Sequence, residues 1–150
     1  MVAALTASAT ATVGTASSPG DLLISQVYGG GGETGSIWNS DFVELTNRGD
    51  NSVDLSEWSL QVAPARGGRW GVTRLSGKVS PGGHYLITEA SGRHGTTRLP
   101  TPDRTGSLQL GVSSGKVALV HSTDALRCGS DCAKAEGVRD FVGYGDVDDP

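Results

Sequence analysis

Catalytic and metal-binding side chains are scarce here: 150 residues carry three histidines and two cysteines. His84, His94 and His121 stand apart from one another, and no H-E-x-x-H occurs. Two cysteines fall short of the roughly four ligands of a structural zinc site. Gly29–Gly32 is followed by Glu33, where a phosphate loop needs Gly-Lys-Ser/Thr, so the run reads as a flexible connection between sheets. Asp41 and Glu44 fall on opposite faces of a regular strand and cannot form a close carboxylate pair there. No catalytic residue, metal ligand set or cofactor is expected.

Other absences bound the fold. No apolar run reaches the ~18 residues of a membrane-spanning helix. The 23 glycines and 6 prolines interrupt helices without a three-residue period. That excludes collagen, coiled coils and helical bundles. With 36% hydrophobic and 19% charged residues the chain is too apolar for a disordered one. A pI near 5.2 and a net charge of −4 argue against a general coat for nucleic acid.

What is present is a succession of short β-prone runs. Leu22–Tyr28, Phe42–Asn47, Trp58–Val62, Trp70–Leu75, His84–Glu89, Ser107–Leu110, Lys116–His121 and Arg139–Val142 are predicted strands. Turn signals recur between them at the spacing of an antiparallel sandwich or barrel. Trp58, Leu60 and Val62 share one face of their run, with Ser59 and Gln61 opposite. Leu45, Leu55, Trp58 and Leu60 are the expected core, with Ile87 beside them. The one stretch able to form a helical turn is Asp131–Glu136, stopped by Gly137.

Residues 1–20 are small, uncharged and of low complexity, and read as a curtailed secretory signal followed by a linker. Residues 21–146 form the expected domain, and 147–150 an acidic, solvated tail. Cys128 and Cys132 are spaced for a small disulfide loop, which agrees with export and pins a turn rather than holding the fold.

The charges fall in blocks. Residues 1–60 carry seven acids against one base, 61–120 eight bases against two acids, and 121–150 seven acids against three bases. Within the basic middle, Arg66-Gly67-Gly68-Arg69-Trp70, with Arg74 and Lys78 beyond, pairs guanidinium groups with an aromatic face. Such a set is able to grip phosphates and stack on a base, which makes a polyanion such as DNA the candidate partner. The alternative is a hairpin tip with solvated arginines and a core-facing Trp70.

The segment Asp41–Gln61, DFVELTNRGDNSVDLSEWSLQ, resembles the signature of the lamin tail domain family. Phe42, Glu44, Leu45, Asn47, Val53, Asp54, Leu55, Ser56, Trp58 and Leu60 carry the likeness, and Glu57 stands where the family usually has Gly. LSGKVSPGGHYLI, SSGKVALV and RDFVGYG extend it over roughly residues 22–145. The resemblance implies an all-β, immunoglobulin-like antiparallel β-sandwich without catalytic machinery of its own. It implies a bacterial, secreted binding or spacer module that presents a partner to DNA or the cell envelope. Its rival is the accessory front part of an extracellular nuclease or phosphatase whose catalytic domain lies outside these residues. Family members commonly continue past the strand matching RDFVGYG into a final strand; here Asp146–Pro150 follows, so the expectation is either a sandwich without its closing strand or the front piece of a longer protein.

Overall fold

The computed structural model describes residues 21–129 and 131–148. The leader reading of residues 1–20, and Asp149 and Pro150 of the tail, lie outside the described residues. Ten strands follow in chain order: β1 (Leu22–Tyr28), β2 (Ser40–Asn47), β3 (Val53–Asp54), β4 (Ser59–Ala63), β5 (Gly71–Arg74), β6 (Lys78–Val79), β7 (His84–Ser91), β8 (Arg104–Thr105), β9 (Gly115–Val120) and β10 (Val138–Tyr144). A 3₁₀ turn, Cys132–Lys134, precedes β10 inside the stretch expected to be helical. No helix among the described residues is long and apolar enough to cross a membrane.

Two four-stranded sheets are ordered β1-β2-β7-β8 and β10-β9-β4-β5, with a two-stranded ribbon β3-β6. All pairings are antiparallel except the short β7–β8 one. This is an immunoglobulin-like β-sandwich. Its main core joins Val43 and Leu45 of β2, Leu60 of β4, Ile87 of β7 and Val117 and Leu119 of β9, with Leu55 and Trp58 beside them. Period-two alternation puts these residues on the inner faces. Trp58 is 3% exposed, and the His121 ring stacks on it at 4.7 Å.

The second sheet is covered on its outer face as well. Ala63, Trp70, Ala118, Val120 and Cys132 form a second cluster, with Leu126, Cys128, Val138 and Phe141 packed against it. Every residue of β4 and β9 is therefore buried. Ser59 and Gln61, expected on a polar face, lie under the 121–128 loop instead. The Gln61 side chain donates to the Asp124 carbonyl at 2.8 Å and accepts the Leu126 amide at 2.9 Å. A buried amide is tolerated because its donor and acceptor are both used.

Ser107–Leu110 departs from its predicted strand. The stretch is not part of a strand, and two of its amides bond to side chains rather than to a backbone ladder. Leu108 donates to Glu89 Oε2 and Leu110 to Asp41 Oδ2, each at 2.8 Å. Two carboxylates thus stand in for a strand edge.

Candidate functional site

Loops gather at one end of the sandwich around a cleft of about 810 Å³. The β1–β2 loop, Ser91-Gly92 at the end of β7, residues 108–112 with Ser114, the β4–β5 hairpin and Asp146 line it. Val62, Leu108 and Leu110 give it an apolar wall, while Glu33, Arg66 and Asp146 bring charge. The glycine run of the β1–β2 loop is required by close approach. A Cβ on Gly31 would collide with the Ser40 carbonyl carbon, and Gly32 holds φ +77° against Gly92.

Asp41 begins the inner wall of the cleft and is 2% exposed. Its Oδ1 accepts the Gly31 amide at 2.7 Å and its Oδ2 the Leu110 amide at 2.8 Å. Burial raises its pKa, and the amide hydrogen bonds oppose that rise. Glu89, buried nearby, is also raised by burial, against the pull of the Thr73 hydroxyl and the Leu108 amide. Both carboxylates fasten loops.

Acidic residues near the C terminus lock the hairpin tip at the far lip. Arg66 pairs with Asp146 at 2.7 Å. The Gly67 amide donates to Asp148 Oδ2 at 2.8 Å, and the Asp148 amide donates to the Ala65 carbonyl at 3.1 Å. Lys116 Nζ donates to Asp148 Oδ1 at 2.7 Å and to the Gly67 carbonyl at 2.9 Å. These bonds hold Asp148 Oδ1 and Oδ2, and the Lys116 and Gly67 contacts lower its pKa. So Asp148, expected in a solvated tail, docks on the hairpin.

The basic set does not converge. Arg66 is occupied by Asp146, and Arg69 is exposed at the hairpin tip. Trp70 is 6% exposed and meets Phe141 edge-on at 5.9 Å, so its face is unable to stack on a base. Arg74 stands at the opposite end of β5, across from Ser59. Lys78 sits on β6, 3.9 Å from Asp54. The reason is topological: β5 separates the tip arginines from Arg74, and β6 belongs to another sheet.

Cys128 and Cys132 are bonded to each other, with 5.4 Å between Cα atoms. Cys132 packs into the outer cluster with Trp70. No group of three or more His, Cys, Asp or Glu side chains suited to a metal occurs among the described residues. Gly111-Val112-Ser113-Ser114-Gly115 spells the G-x-S-x-G of a nucleophile elbow. An elbow turns from strand into helix, whereas here β9 begins at Gly115.

Sequence reasoning did not single out Lys116; it considered Asp41 only as half of a carboxylate pair with Glu44 and Asp148 only as part of a solvated tail. Lys116 had a signal, as the one charge in an otherwise apolar strand. Asp148 had none, since its partners lie far away in the chain. The family model described as Lamin Tail Domain matches residues 15–145. No curated protein matches the chain.

Proposed function

Because the chain belongs to the lamin tail domain family, we propose that it is a non-catalytic, exported binding or spacer module. In this reading a partner docks at the loop end of the sandwich, and the module holds that partner near the cell envelope. The observation that carries the proposal is the cleft of about 810 Å³ and the use to which its buried carboxylate is put. Asp41 gives both oxygens to backbone amides and so serves architecture. Loops clustered on a rigid sandwich are a common platform for recognition. The Cys128–Cys132 bond suits an oxidising compartment.

Two measurements test this. The purified chain is incubated with DNA, phosphodiester, ester and peptide substrates, with and without divalent metal ions. No turnover above a heat-treated control is expected, and clear turnover refutes the non-catalytic part. Protein recovered from the medium of an exporting host is mapped without reduction. A linked Cys128–Cys132 peptide is expected; protein retained inside, or two free thiols, refutes export to an oxidising compartment.

A further inference from the structure

A second recess lies on the flank of the sandwich, away from the loop end. It is about 380 Å³ and opens between β5 of one sheet and residues 104–108 beside the other, with Thr123 also lining it. Two arginines from distant parts of the sequence, Arg74 and Arg104, line the same recess. Neither lies within ion-pair distance of a carboxylate among the described residues.

Arg104 is half-buried, and its Nε is buried with no hydrogen-bond partner among the described residues. That nitrogen is closed to solvent, so a solute in the recess meets Arg104 through the rest of its half-buried guanidinium side chain, for which an oxyanion is the strongest complement. The carboxylates on this flank make no ion pair with either arginine, although Glu89 Oε1 is itself buried without a hydrogen-bond partner among the described residues. Asp103 accepts the Leu86 amide at 2.8 Å, and Glu89 accepts the Leu108 amide at 2.8 Å. Ser107 and Thr123 add hydroxyl donors to the lining.

We propose that the Arg74–Arg104 recess binds a tetrahedral oxyanion, a phosphate or sulfate group. Two guanidinium groups and two hydroxyls supply enough donors for several oxygens of one such group. The group comes either as the free ion or as an ester on an anionic glycan. In either case Arg74 provides the accessible charge and Arg104 the more sheltered one. The site is independent of the loop-end cleft, so it stands whether or not a partner docks there.

The test is titration of the full chain with inorganic phosphate, inorganic sulfate and a sulfated oligosaccharide, followed by amide and arginine Nε NMR shifts. Saturable shifts confined to Gly106, Ser107, Thr123 and the Arg104 Nε–H are expected. Arg74→Gln and Arg104→Gln each weaken binding about tenfold or more, as expected for loss of a charge-assisted bond. Arg69→Gln, at the distant hairpin tip, leaves it unchanged. Arg74 is exposed, so its variant tests the site even if Arg104→Gln fails to fold. Equal affinity for the free ions and the oligosaccharide identifies an ion site, and tighter oligosaccharide binding identifies an ester on a glycan. Shifts that do not saturate, or Arg69→Gln weakening binding as much as Arg74→Gln, overturn the proposal.

Discussion

Lys116 Nζ lies 2.7 Å from Asp148 Oδ1, and the lysine side chain is 2% exposed. A lysine starting an apolar strand is thereby neutralised by a residue 32 positions later. Removing one partner of a sheltered pair leaves the other charge without compensation. Asp148→Asn should therefore lower the thermal midpoint at neutral pH. Lys116→Met, which removes the buried charge itself, should cost less. The pKa of Asp148 is depressed in the fold, so its contribution is present above the ordinary value of 3.8 and is lost as pH falls through the depressed one. Melting curves from neutral to strongly acidic pH check this: the gap between parent and Asp148→Asn should close at the acidic end.

Trp58 fills the core beside Leu55 and Leu60 with its ring under His121. Trp58→Ala should destabilise by about 3–5 kcal/mol, the range for a buried large aromatic. Urea denaturation measures it. A loss below about 1 kcal/mol would place the ring outside the cooperative core.

Glu89 responds to pH in the opposite sense from Asp148. Burial raises its pKa above the ordinary 4.5, so the folded state binds its proton more readily than the unfolded chain does. Stability from this group is full below 4.5 and declines as pH rises through the elevated folded value. Glu89→Gln keeps an oxygen for the Leu108 amide and removes the titration. Relative to this variant, the parent should gain stability as pH is lowered from neutral toward 4.5. Parallel pH profiles for the two proteins would contradict the assignment.

The scattered basic set makes its own prediction for DNA. Convergence of Arg66, Arg69, Arg74 and Lys78 would give a slope of log K against log salt of about −3 to −4 for four phosphate contacts. With Arg66 held by Asp146 and Trp70 buried, the slope should be much shallower and single strands should not be preferred. Titration of labelled single- and double-stranded DNA at several salt concentrations decides the matter. The double variant Arg66→Ala, Arg69→Ala should match the parent.

The sandwich was legible because Asp41–Gln61 combines alternation with turn residues, and because the run of β9 is nearly all apolar. Local sequence carries that information. The two-residue strands β3, β6 and β8 are too short to show any period. Gln61 looked solvent-facing because alternation reports only two faces, and the loop that covers its face comes some 60 residues later. Ser107–Leu110 was read as an ordinary strand because its apolar pattern does not reveal that its acceptors are Asp41 and Glu89. The cleft was least visible: Arg66 meets Asp146 across 80 residues, a proximity that only the folded topology creates. A block of charge in sequence does not fix where its side chains lie on a sandwich, and the hairpin with a core-facing Trp70 is the alternative that the burial of Trp70 matches.

The courses of β1 and β10 have a mechanical consequence. The Ile24 amide bonds Asp140 Oδ2 near the start of both strands, and Gly29 approaches the Tyr144 hydroxyl at their far ends. The two strands thus run in the same direction on neighbouring edges, β1 paired to β2 and β10 to β9. The chain enters the sandwich at one end and leaves β10 at the other. Tension applied through the flanking chain pulls along the strand axes and loads both ladders in shear, so many hydrogen bonds must yield together rather than one after another. Before that load reaches β10, the Asp148 contacts with Lys116 and Gly67 must slip. The Asp148 contacts are thus placed in series with the two ladders along that line of pull.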